Sequence, residues 1–342
     1  MAMGAGACKA SLLMVLFELG LAVFIVLQSS LLASGDTSAT VLVVYVHIVS
    51  SAVLSSLAFF LERERRPRIT VRIACWAFFL GFLQFTLSQL LETWSLRYVT
   101  ASFQSSLLNT ESAVVFVLAV AAGRERFGFC GARGQAKLWG TLLSAAGAIA
   151  VVLSTKNDEA AAAPGGVSAW FVGFLLVALA VLASALFKLL VERVAARFSA
   201  DLTLSAMMAV SGTLQLAAVA AVTERNPSAW RIRWNGSHLL LVVILYGGIV
   251  VSGIFYYATN WCIHTKGPLF VAAFTPLLIV FTFLLEMLFL GAHAHAWSVM
   301  GAVLVVGGLY LLLWAKAEDY KAEADAAPVE RSNREPLLLD KA

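Results

Sequence analysis

An ionisable side chain inside a long apolar run needs a reason to be there, because a charge at the centre of a bilayer costs at least ~2.5–3.5 kcal/mol on insertion scales. Glu111 is the clearest case, sitting near the middle of such a run two residues beyond Asn109. Facing a central cavity, Glu111 would bind a substrate amine or exchange a proton. The competing reading is a neutral glutamic acid hydrogen-bonded between helices. Glu18 and Lys188 lie at similar depths in their own runs. They are placed to form an ion pair, against which stands a Lys188 that snorkels to the interface along its flexible stem. Glu92 and Glu286 fall near the ends of their runs and read as solvated. His47, at mid-depth, is either a titrating group or a packed, satisfied histidine.

Gln89 and the pair Tyr256/Tyr257 offer amide and phenol groups, which hydrogen-bond a polar organic molecule without the cost of a buried charge. The same groups also serve as interhelical hydrogen bonds worth about 0.6–2 kcal/mol each. Asn260 and Thr275 complete the polar candidates, and Pro276 removes a backbone donor and frees the Ala272 carbonyl, producing a kink and a potential ligand contact. None of these residues makes a nucleophile–base pair or paired carboxylates, so the set points to binding and transfer and away from catalysis. His293 and His295 are too few for a metal site. No phosphate-cradling glycine loop occurs, and no cofactor is implied.

The elements that must carry these residues are membrane helices. Of the 342 residues, 61% are hydrophobic and 13% charged, with mean hydropathy +0.86. Apolar runs of about 17–24 residues match the ~30 Å hydrocarbon core, and in lipid only helices or closed barrels satisfy the backbone. The alternation of a barrel is absent. The expected architecture is all-α and polytopic, with ten spans at 11–33, 39–61, 72–94, 101–122, 138–154, 169–191, 203–222, 238–259, 268–290 and 296–315. An N-terminus inside gathers 18 of the 24 Lys and Arg on the inner side, leaving five outside and Lys188 within a helix. The positive-inside rule thus places both termini in the cytosol. Cys8, Cys75, Cys130 and Cys262 then fall near the cytosolic face, where thiols stay reduced. The +4 formal charge is accounted for by loops beside anionic lipid and needs no nucleic acid.

A repeat organises the spans. Trp94 precedes Phe103 by nine residues at the junction of spans three and four, and Trp261 precedes Phe270 by nine at the junction of spans eight and nine. Gly140 and Gly147 match Gly301 and Gly308, again seven apart. Two five-helix units, 11–154 and 169–315, follow a short N-terminal segment 1–10 and flank the linker 155–168, with a disordered cytosolic tail over 316–342. Five is odd, so the second unit enters the membrane inverted, an arrangement typical of carriers with a mid-membrane site. The glycine faces read as close-packing surfaces, with a homo-oligomer as the alternative use.

The motifs carry a family resemblance. Leu61-Glu62-Arg63-Glu64-Arg65-Arg66-Pro67 and Arg133-Gly134-Gln135-Ala136-Lys137 in the first half resemble plant drug/metabolite transporters of the UMAMIT group, relatives of the WALLS ARE THIN proteins with EamA-type repeats. The second half is closer still, through Glu224–Trp230, Tyr246–Gly253, Trp261-Cys262-Ile263 and Gly267–Leu277. The resemblance implies ten helices in two EamA-like units, transport of amino acids or auxin-like compounds, and residence in the plasma or vacuolar membrane. Its partners would be the bilayer, a small molecule and, in a coupled carrier, a proton. Several polar positions depart from the family pattern: Val46 stands where it has Arg, Leu90 ends a reduced polar cluster, and Ser112 replaces a proline. These departures keep a transport-inactive scaffold or sensor open as an alternative, beside a nucleotide-sugar-type carrier of the same superfamily. The tail motif Glu335-Pro336-Leu337-Leu338-Leu339 loosely resembles a dileucine sorting signal, favouring the vacuole.

Overall fold

The computed structural model describes residues 2–33, 38–64, 67–123, 134–136, 138–143, 145–147, 166–198, 200–230 and 238–290, with 300–301, 303–304, 307–308, 310–311, 314–315 and 318. Eight helices among them are long and apolar enough to cross a membrane. They are α1 (Ala2–Ala33), α2 (Ala39–Leu61), α3 (Val71–Ser95), α4 (Phe103–Ala121), α5 (Gly166–Ala195), α6 (Asp201–Thr223), α7 (His238–Lys266) and α8 (Phe270–Phe289). The protein is an all-α, multi-pass membrane protein. Of the expected spans 138–154 and 296–315, the described residues are helical, and the remainder lie outside the described residues.

The outside of the bundle is apolar, and its inside holds polar groups among apolar ones. Phe60, Val71, Leu214, Leu288 and Phe289 are each at least 67% exposed, as side chains facing lipid should be. Gln28, Ser88, Thr93, Ser95, Gln104 and Asn109 are buried at 3% or less. Water would not tolerate so much large apolar surface, and hydrocarbon does.

Local sequence sets the helix ends. Thr70 and Thr100 cap the helices that follow them, accepting from the backbone N–H of Ile73 and Phe103 respectively. α7 stops at Gly267, whose φ of 85° is open to glycine at little cost, and Pro268 begins the next turn. The start of α6 is capped from another helix. The Glu62 carboxylate, at the end of α2, accepts from the Leu202 and Thr203 N–H groups at 3.1 and 2.7 Å. A negative charge there also complements the helix dipole.

α2, α3 and α6 pack against one another, α1 lies along α8, and α2 also meets α7. α3 and α6 cross where Gly81 faces Gly212. A Cβ on Gly212 would stand 2.5 Å from the Phe85 Cβ, and one on Gly81 2.5 Å from the Met208 carbonyl oxygen. Only glycines allow the two backbones to approach that closely. Of the glycines paired in the repeat, Gly140, Gly147, Gly301 and Gly308 are buried within the single chain. Neighbouring Gly307 faces Leu143, so these glycines pack inside the protein.

Four of the helices are irregular. α3 is π-helical over Phe82–Ser88 and α7 over Tyr246–Phe255. α4 breaks at Asn109 and Thr110, between the helix Ala101–Leu108, which starts two residues before the span, and Glu111–Ala121. α8 breaks at Ala273–Thr275 and restarts at Pro276, so proline opens a new helical segment where a simple kink was expected. Both breaks are tightened by i→i+3 bonds, Thr110 N to Leu107 O at 2.9 Å and Phe274 N to Val271 O at 3.0 Å. π-helical turns and interrupted membrane helices concentrate at functional sites.

Candidate functional site

The irregular segments meet at one cavity. Its volume is about 100 Å³, and seven of the eight long helices, all but α6, contribute to its wall. The π-helical stretch of α3 supplies Gln84 and Phe85, and that of α7 supplies Val251 and Ser252. The break in α4 delivers Glu111, and the break in α8 delivers Thr275.

Glu111 is the first residue of the helical segment that restarts after Asn109 and Thr110, where a carboxylate complements the helix dipole. Across the cavity, Lys188 Nζ on α5 donates to Glu111 Oε2 at 2.7 Å. The two side chains are only 12% and 7% exposed. Lys188 therefore neither snorkels away nor forms the expected partnership with Glu18; its bonded partner is Glu111. Glu18, 2% exposed, nevertheless stands within electrostatic reach of both members of the pair. So does Glu92, whose Oε1 accepts from Ser88 at 2.8 Å. Glu92 thus lines the cavity and is not a solvated helix-end group. The side chain of Glu286 lies outside the described residues.

One wall is aromatic. The His47 ring packs edge-on against Phe85 at 4.9 Å, Phe85 meets Tyr256 at 4.6 Å, and Tyr256 stacks near Phe187 at 6.1 Å. Among the described residues, several buried polar atoms here find no hydrogen-bond partner: Glu18 Oε2, both ring nitrogens of His47, Gln84 Oε1, Glu111 Oε1 and Thr259 Oγ1. All belong to residues that line the cavity. Leaving a buried polar group unpaired costs about 1–3 kcal/mol, so a wall with this many is complementary to water or to a polar ligand.

Six of the sequence-derived candidates, Glu18, His47, Gln89, Glu111, Tyr256 and Thr275, converge on the cavity. Asn109, Asn260 and Tyr257 are not among its lining residues, and the side chain of Pro276 lies outside the described residues. Asn109 is fully buried at the α4 break, Asn260 donates to Ser205 Oγ at 3.0 Å, Tyr257 is half-buried against the apolar core, and Pro276 begins the second segment of α8. Glu92, Gln84 and Thr259 line the cavity without having been singled out as candidates.

The EamA-like transporter family matches residues 171–314. A WAT1-related protein of Arabidopsis thaliana is 34% identical over 319 residues, spanning 90% of this chain and 83% of its own length. The chain belongs to the WAT1-related, EamA-like transporter family. Two further WAT1-related proteins of Arabidopsis thaliana are 32% and 33% identical, over 91% and 82% of this chain and 83% and 74% of theirs. A solved crystal structure of a protein superposes on the WAT1-related chain with a TM-score of 0.61 at 16% identity, covering 88% of this chain and 98% of its own, which shows a shared fold. As a WAT1-related protein, the chain is a membrane transporter of the drug/metabolite superfamily and not an enzyme.

Proposed function

We propose that this protein carries a small polar organic metabolite through the central cavity by alternating access, amino acids being the leading class and auxin-like acids the second. The observation that carries the reading is the coincidence of the Glu111–Lys188 pair with unpartnered polar atoms around one cavity. Three carboxylates and one ammonium line it among the described residues, which favours an amine over a free acid and over a diphosphate such as a nucleotide sugar. The cavity volume of about 100 Å³ is small beside the ~300–1,000 Å³ of ligand pockets. Substrate entry therefore requires the helices to part, as alternating access demands.

The moving parts are two five-helix units in inverted orientation, ten helices in all, with both termini cytosolic and the chain in the plasma or vacuolar membrane. Spacing supports the repeat, since Trp94 and Phe103 recur 167 residues later as Trp261 and Phe270. The irregular segments fall in the same pairs, π-helical in α3 and α7 and broken in α4 and α8. Glu111, Asn109, Gln89, His47, Glu18, Tyr256, Tyr257, Asn260, Thr275 and Pro276 remain the proposed substrate or coupling residues, with a proton as the coupling ion.

Purified protein in liposomes, given labelled amino acids or indole-3-acetic acid with and without a pH gradient, tests the reading. Uptake of an amino acid exceeding that of the indole acid is expected. Uptake of the acid alone would put auxin-like acids first, and uptake of neither would overturn the reading.

A further inference from the structure

The two ends of the contact between α2 and α6 correspond to each other. Both helices are 23 residues long, and their starts, ends and following glutamates stand 162 residues apart, at 39 and 201, 61 and 223, and 62 and 224. They run antiparallel, since the end of α2 meets the start of α6 and the start of α2 meets the end of α6. Each end is tied by a glutamate that follows one helix and reaches the start of the other. Glu62 accepts from the Leu202 and Thr203 N–H groups and, at 2.8 Å, from Thr203 Oγ1. Glu224 accepts from the hydroxyl of Ser38, the residue before α2.

The two ties are formed to different degrees. Glu62 has closed on the backbone of the first turn of α6, whereas Glu224 holds only a side chain. The counterparts of Leu202 and Thr203 are Thr40 and Val41, each at most 3% exposed. Ser38 does not cap them, and among the described residues no side chain accepts from their N–H groups. The start of α2 therefore keeps donors that a carboxylate would satisfy. In a carrier of two inverted units, the opposite-facing state exchanges the surroundings of the units, so a contact closed at one end becomes the contact closed at the other.

Both ties lead to the cavity. The start of α6 is joined to α7 by His264 Nδ1 and Asp201 Oδ2 at 2.9 Å and by the Asn260 donation to Ser205, and α7 carries Tyr256 and Thr259 into the cavity wall. At the other end the Glu224 carbonyl accepts from Trp230 Nε1 at 3.0 Å, and Tyr45 on α2 donates to the Trp230 carbonyl at 2.6 Å. His47, two residues beyond Tyr45, lines the cavity.

We propose that Glu62 and Glu224 are paired positioning residues for transport, each holding one end of the α2–α6 contact shut while the other end is loose. The proposal rests on the alternating-access reading above. In the present state Glu62 is engaged and closes the end that is cytosolic in the proposed orientation. In the opposite-facing state Glu224 accepts from the Thr40 and Val41 N–H groups and Glu62 releases α6. Ala200, at the position equivalent to Ser38, then offers Glu62 no hydroxyl.

The test is a Ser184→Cys reporter on the cavity wall, in the full chain with its four native cysteines replaced by alanine. A membrane-impermeant maleimide is added to right-side-out and to inside-out vesicles. Glu62→Ala should speed labelling from the cytosolic face about tenfold and slow it from the outer face, and Glu224→Ala should do the reverse. A purely structural role would move both faces together. The Glu→Gln variants keep the side-chain shape and an acceptor oxygen, and should shift in the same directions by about threefold. They carry the test where an alanine variant fails to fold. Shifts of one sign in both variants, or no shift, overturn the inference. Uptake by the wild-type chain separates the two readings. Uptake without opposite shifts overturns this inference alone, and uptake of neither amino acids nor indole-3-acetic acid overturns the carrier reading together with it.

Discussion

Two polar regions lie side by side in this bundle and differ in whether their groups are satisfied. Along the seam of α2, α3 and α6, hydroxyls and amides close on one another. Thr213 Oγ1 donates to the Ala209 carbonyl at 2.7 Å and sits 2.6 Å from Ser51 Oγ. Thr86 Oγ1 donates to Gln215 Oε1 at 3.1 Å, and Gln215 Nε2 donates in turn to the Phe78 carbonyl at 3.0 Å. In the cavity one helix away, Glu18 Oε2, both ring nitrogens of His47, Gln84 Oε1 and Thr259 Oγ1 are buried and unpaired among the described residues. Polarity inside a membrane bundle is therefore not by itself a sign of function. The seam is built from hydrogen bonds that already have both ends, and the cavity from ends that await a partner. α6 shows the separation most clearly, since it packs along the seam and contributes nothing to the cavity wall.

That contrast breaks in a definite order. Glu111→Gln should have the largest effect on flux, a loss of about 10- to 150-fold if one charge-assisted hydrogen bond of about 1.5–3 kcal/mol is removed. The melting temperature of the same variant should move less, because the amide oxygen in place of Glu111 Oε2 still accepts from Lys188. His47→Phe comes next. Its ring contact with Phe85 survives and two unpaired nitrogens disappear. Thermal stability should hold or rise while flux falls about 2- to 13-fold, the equivalent of a hydrogen bond of about 0.5–1.5 kcal/mol. Equal or higher flux in that variant would move His47 to the structural side. Thr213→Val should do the reverse with the smallest effect, lowering stability by about 0.6–2 kcal/mol and leaving flux unchanged. Detergent thermal melts beside proteoliposome uptake would read all three.

How much of this could be read in the residues depends on the link involved. Helical class followed from run length and charge, because hydrocarbon leaves the backbone few options. Glu111 stood out because a carboxylate at mid-run is costly wherever the helix points. Its partner did not stand out. Lys188 lies near the end of α5 with a stem long enough to reach the interface, and only the packing of α4 beside α5 turns it inward. Glu92 was misread for a related reason. Counting positions along a straight helix put it at a wet end, but the wider π-helical turns over Phe82–Ser88 shift the face shown by the residues after them. The breaks at Asn109–Thr110 and Ala273–Thr275 were half legible. Pro276 signalled the second, and nothing in the identity of Asn109 or Thr110 forbids a continuous helix at the first. The repeat showed faintly as spaced Trp, Phe and Gly, and the paired irregularities of α3 with α7 and α4 with α8 add a conformational match that residue identities hide.

The central claim is that this cavity is the path of the transported molecule. Its most direct test is a single cysteine at Thr259, on the cavity wall, in a chain whose Cys8, Cys75, Cys130 and Cys262 are replaced by alanine. A membrane-impermeant maleimide is added to either face of sealed proteoliposomes, with and without a substrate those liposomes take up. The account predicts slow labelling from both faces and protection by the substrate. Labelling that the transported substrate does not slow would contradict it.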